Sequence, residues 1–179
     1  MKGIIFTELL NMVETNMGAE MVETIIDNAK LESGGAYTTV GTYPTEEIEA
    51  LVHQLELQTQ LSRDQLLEVF GKYLFGSLAD NYPHFFPEGL QFFDFLAGIH
   101  DYIHVEVRKL YPDAELPDLK VVQRTDKELV LLYESSRKMA HLATGLLNGC
   151  MEHFKVDANI DAEKLNDDKS KVQFRITLN

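Results

Sequence analysis

The stretch Leu129-Val130-Leu131-Leu132-Tyr133-Glu134-Ser135-Ser136-Arg137 decides the reading of this chain. Side chains alternate across a β-strand, so residues two apart share a face. Leu129 and Leu131 then continue into Tyr133, Ser135 and Arg137 on one side. That face is apolar at one end and rich in hydrogen-bond donors at the other. It suits a flat apolar ligand with carboxylates on its rim. Arginine grips a carboxylate bidentately, and the two hydroxyls take the remaining acceptor oxygens.

Upstream of this strand the pattern is helical. Ile5, Leu9, Met12 and Val13 recur at helical spacing, with Gly18 as a stop. A second helix runs from Glu20 to Leu31 and is broken by Ser33-Gly34-Gly35. Thr45 caps a helix reaching Leu57, and Ser62 with Gln65 forms a capping box opening a helix toward Leu78. An aromatic centre follows, then a helix from Gly89 to Leu110 and a linker bounded by Pro112 and Pro117. Thr125-Asp126-Lys127 is the turn of a hairpin that includes the opening stretch. A helix from Lys138 to Phe154 and strands near Phe154–Ile160 and Lys171–Leu178 complete the chain. Helices first and a small antiparallel sheet of about four strands afterwards predict an α+β fold. One domain spans 1–179, with a helical part over about 1–63 and a helix-and-sheet part over about 64–179.

The 179 residues are 45% hydrophobic, enough for a folded domain with a sizeable core. A net charge of −13 argues against nucleic acid or an anionic membrane as partner, since both carry the same sign. Cys150 is the only cysteine, so no internal disulfide forms, and the expected compartment is reducing: the cytoplasm. The start Met1-Lys2-Gly3-Ile4-Ile5-Phe6 has too short an apolar run for a secretory signal.

His104 lies in the central helix, on the face of Phe93 and Ala97. An imidazole among apolar neighbours is a good axial ligand for haem iron, while the structural alternative is a core histidine bonded to a carbonyl. Haem, with two propionates, also matches the Tyr133, Ser135, Arg137 face. His100 and His104 at i and i+4 form the alternative metal pair, which needs further ligands that no motif supplies. Cys150, His141 and His153 invite a zinc reading, but helical spacing puts positions 141 and 150 on opposite sides. No nucleophile triad or phosphate-binding glycine loop is present.

Taken together, the Met1-Lys2-Gly3-Ile4-Ile5 start, His104 and Tyr133-x-Ser135-x-Arg137 resemble the haem nitric oxide/oxygen binding (H-NOX) domains, relatives of the haem domain of soluble guanylate cyclase. The resemblance covers essentially the whole chain. It implies haem b buried between the two parts, His104 as proximal iron ligand, and Tyr133, Ser135 and Arg137 as propionate clamp. It implies Ile5 and Pro117 as residues packing on the haem. Oxygen-binding relatives carry a distal tyrosine that falls at Leu142 here, with supporting polar positions at Leu9 and Leu74. A leucine-lined distal side gives bound dioxygen no donor, so nitric oxide and carbon monoxide should be preferred.

The expected function is a gas sensor, not an enzyme, that signals to a separate protein; similar bacterial members work with a histidine kinase or a cyclic-di-GMP enzyme. The competing readings are a metal-dependent enzyme built on His100 and His104, and a haem-free regulatory α+β protein. Colour separates the three.

Overall fold

The computed structural model describes residues 1–179. Residues 1–3 lie against residues 41–43: Lys2 bridges Thr42, and the Gly3 amide donates to the Gly41 carbonyl at 2.8 Å. From there α1 (Gly3–Met17) runs to Gly18, whose φ of +87° only glycine adopts freely. Helices α2 (Ala19–Ala29), α3 (Thr45–Thr59) and α4 (Arg63–Asn81) follow. Thr45 does not cap α3. It is already the first helical residue behind Pro44, and no side chain caps that end. The Ser62–Gln65 capping box on α4 is present in both directions. Phe6, Leu9, Val13, Ile25, Leu51, Leu55, Leu67, Phe70 and Leu74 close into one apolar core.

A second core begins further along α4, with Phe75 and Ala79. The expected central helix is three pieces: α5 (Phe92–Gly98), a π-helical turn (Ile99–Ile103) and α6 (His104–Leu110). It starts at Phe92 rather than Gly89, because Gly89 has φ +82° and the Leu90 amide closes a turn onto Pro87. Strands β1 (Asp118–Arg124) and β2 (Glu128–Glu134) form the hairpin. Helix α7 (Ala140–Phe154) then leads to β3 (Ala158–Lys164) and β4 (Lys171–Leu178). β3 opens four residues later than expected, since α7 keeps its turn through Phe154.

The sheet is antiparallel in the order β1-β2-β4-β3. Leu129, Leu131 and Tyr133 face Ile176, Phe174 and Val172 across β2 and β4, and all six are buried. Burying each Leu, Ile, Val or Phe among them is worth about 1.5–3 kcal/mol. The alternation read from the sequence holds through Tyr133, but the strand ends at Glu134, and Ser135–Lys138 turn away. α4 and α7 cross at their glycines. A Cβ on Gly71 would stand 2.3 Å from the Leu142 carbonyl oxygen, and one on Gly145 2.1 Å from that of Glu68. This contact joins the two cores.

Candidate functional site

His104 opens α6 directly after the π turn, a local widening frequent at functional positions. It is buried, and its Nδ1 has no hydrogen-bond partner. Burial pushes its pKa down to about 4, aided by the Arg108 and His100 charges; Asp118 and the Pro117 backbone oppose this weakly. The imidazole is therefore neutral at pH 7, the form that offers a lone pair to a metal. An unsatisfied buried polar group costs about 1–3 kcal/mol, so a fold keeps one for a reason.

Tyr133, Ser135 and Arg137 meet through a turn, not along a straight face. Tyr133 is buried at the end of β2, and burial raises its phenol pKa; the Ser135 side chain, the Met139 backbone and the Arg137 charge pull the other way. The Ser135 amide donates to the Ser170 carbonyl at 2.8 Å, and the Arg137 amide donates to Ser135 Oγ at 3.2 Å. The Arg137 guanidinium donates through NH1 to the Glu115 carbonyl at 2.6 Å and through NH2 to Glu115 Oε2 at 3.1 Å. Its Nε is buried and unpaired.

Among the aliphatic candidates, Leu9 and Leu74 are buried in the first core. Ile5 and Leu142 pack half-buried against the same core. Pro117 is half-buried beside His104. Two participants were missed by the sequence reading: Glu115, and the Met1 amino group. The latter donates to the Tyr43 carbonyl at 2.7 Å, and burial first, then the Arg137 charge, lowers its pKa. Neither has a sequence signal, because their partners are set by tertiary proximity.

The residues fit a haem. A neutral buried imidazole would serve as an axial base, and Arg137 Nε is a buried donor lacking an acceptor. The metal-pair alternative finds less. The His100 and His104 rings stand 6.2 Å apart, and no three His, Cys, Asp or Glu side chains converge on a common ion position. His141 engages Glu68 through Nδ1 at 2.7 Å and Asp64 through Nε2 at 3.1 Å, on opposite sides of its ring. Cys150 is sealed in the core, while His153 packs on Phe86. A cavity of about 700 Å³ lies at the hairpin end of the sheet, lined by Phe92, Phe93, Arg124 and Phe154, and includes none of the candidate residues.

A buried, unprotonated imidazole and an unpaired guanidinium donor in an α+β domain suit a haem-binding class of protein. The chain belongs to the Haem-NO-binding family, whose model matches residues 2–162. That family is one of haem-based gas-sensing domains rather than catalytic ones. Over its full length the chain is similar to the Fe(II) unliganded H-NOX protein from K. algicida, at 44% identity, 97% coverage of that chain and TM-score 0.94. It is similar to the IWP-051-bound H-NOX from Shewanella woodyi in the Fe(II)CO state, at 38% identity over 100% of this chain and 95% of that one, TM-score 0.86. The S. oneidensis H-NOX protein in the Fe(II)NO state aligns at 26% identity over 100% and 99% of the two chains, TM-score 0.91. No curated protein sequence matched the chain. No helix is long and apolar enough to cross a membrane.

Proposed function

We propose that this chain is a haem b sensor of nitric oxide that passes its signal to a separate protein. The observation that carries the reading is His104: buried, neutral and without a partner for Nδ1, in a chain of the Haem-NO-binding family. His104 is the axial ligand, and Tyr133, Ser135 and Arg137 hold the propionates. Ile5 and Pro117 pack on the ring, and the two parts of the single domain enclose it.

Haem held by His104 would supply an iron able to bind nitric oxide, and with it a reason for the iron–histidine bond to weaken. The chain's own contribution is to hold His104 unprotonated, to exclude water with aliphatic side chains, and to move once that bond is lost. Such an output is a two-state equilibrium biased by a ligand. Leu9, Leu74 and Leu142 offer no hydrogen-bond donor, so nitric oxide and carbon monoxide bind and dioxygen binds poorly. The partner is a histidine kinase or a cyclic-di-GMP enzyme in the cytoplasm. The placement rests on the lone unpaired thiol, and the net charge of −13 leaves nucleic acid and anionic membranes outside the reading.

Absorption spectroscopy of the purified protein tests this. A Soret band lost in His104→Gly and restored by imidazole is expected. So are ferrous complexes with nitric oxide and carbon monoxide but no stable complex with dioxygen. Leu142→Tyr alone should leave dioxygen binding weak, because positions 9 and 74 still lack partners for the phenol. A colourless protein that takes up no haem overturns the reading; a stable dioxygen complex overturns the ligand preference.

A further inference from the structure

The linker Tyr111–Pro117, between α6 and β1, is held from three directions. Pro117 lies beside His104. Glu115 takes the Arg137 guanidinium through its carbonyl and its carboxylate. Asp113 sits in a turn closed by the Ala114 amide onto the Tyr111 carbonyl at 2.9 Å. Its carboxylate accepts from Lys2 Nζ at 3.2 and 3.4 Å and from Thr42 Oγ1 at 2.8 Å. Lys2 Nζ also donates to Thr42 Oγ1 at 2.8 Å and lies 5.0 Å from the centre of the Tyr111 ring. The three side chains form a closed triangle across 111 residues of sequence.

The triangle is anchored on both sides. Lys2 and Thr42 are already bridged through their backbones, and Lys2 is the residue from which α1 starts. That helix carries Ile5 and Leu9. From Asp113 to Pro117 the chain can span at most about 14 Å, so the residue beside His104 and the clip are close neighbours on one short linker. The Lys2 side chain is 13% exposed and that of Asp113 59%, so the pair is partly screened and its contribution is modest.

We propose that Lys2, Thr42 and Asp113 are positioning residues, a clip that pins the linker to the start of α1 and opposes the departure of His104 from the iron. This rests on the haem-sensor reading and adds the regulation of the same site. Loosening the clip lowers the cost of moving the linker, so the bond should break about two- to fivefold faster, the range expected for one partly exposed ion pair.

The test uses the haem-loaded protein mixed rapidly with nitric oxide, reading the absorbance change from six- to five-coordinate iron. Asp113→Asn and Lys2→Met should speed that step about two- to fivefold, and Lys2→Arg should retain the native rate. In parallel, amide exchange at Gly3 and Ala114 should accelerate in the same two variants. Faster exchange with an unchanged step rate makes the clip merely structural and overturns the proposal. So do two unchanged readouts, or a protein in which no five-coordinate species ever forms. Absence of haem from the unsubstituted protein would instead bring down the sensor reading itself.

Discussion

The helical and the sheet-bearing parts of the molecule each bury one strongly polar side chain, and the two are treated in opposite ways. Glu47 in α3 accepts from the Ser33 amide at 3.0 Å, from Ser33 Oγ at 2.6 Å and from the Tyr37 hydroxyl at 2.6 Å. Despite burial, those bonds hold its carboxyl below the usual range. It ties the loop after α2 to α3 and has nothing left to offer. His104 is also buried, yet no group lies within good hydrogen-bond geometry of its Nδ1. All the buried side-chain atoms without partners, on His100, His104 and Arg137, belong to the second part. Satisfied burial marks architecture, and unsatisfied burial marks the place kept for something else.

The contrast breaks most sharply on haem. His104→Gly should lower haem retention by more than the roughly 100-fold seen when supporting contacts of a metal ligand are lost, whereas Glu47→Gln should leave the Soret band intact. Pigment loss in both variants would erase the distinction. The next largest effect is on acid stability of the haem-free protein. The His104 pKa is lowered from 6.5 to about 4, so the unfolded chain binds the extra proton between those values. Stability therefore falls as pH drops through that window, by about 3 kcal/mol, and His104→Leu should flatten it in urea titrations.

Glu47 has the opposite chemistry but the same acid sensitivity, at lower pH. Its depressed carboxyl adds stability above the unfolded value near 4.5, lost as pH falls through the folded one. Glu47→Gln should cost about 2 kcal/mol at neutral pH, and the penalty should shrink as pH falls through the lowered pKa of the folded carboxyl. Equal losses at both ends would deny the carboxylate its role. Arg137→Ala should have the smallest effect: roughly tenfold weaker haem retention with the fold preserved, from one charge-assisted bond of about 1.5 kcal/mol. Unchanged retention there, together with Tyr133→Phe and Ser135→Ala, would remove the clamp.

What the sequence revealed divides along the same line of range. The Ser62–Gln65 capping box and the Leu129, Leu131, Tyr133 row were legible because each is a local pattern with a fixed period or offset. The same alternation misled beyond Glu134, where the Ser170 carbonyl takes the Ser135 amide and Lys138 adopts φ +55°. Thr45 misled as a cap because proline before it already fixes the helix entry. The π turn before His104 leaves no compositional trace. Glu115 and Asp113 were invisible, since their partners lie 22 and 111 residues away.

Cys150, deep in α7 and with its thiol pKa pushed up by burial, has one further implication. Nitrosation and oxidation of sulfur need an accessible thiolate, and this one is both enclosed and protonated. Under the haem-sensor proposal the lone thiol is thus chemically silent, so thiol chemistry would add nothing to the colour change on exposure to nitric oxide.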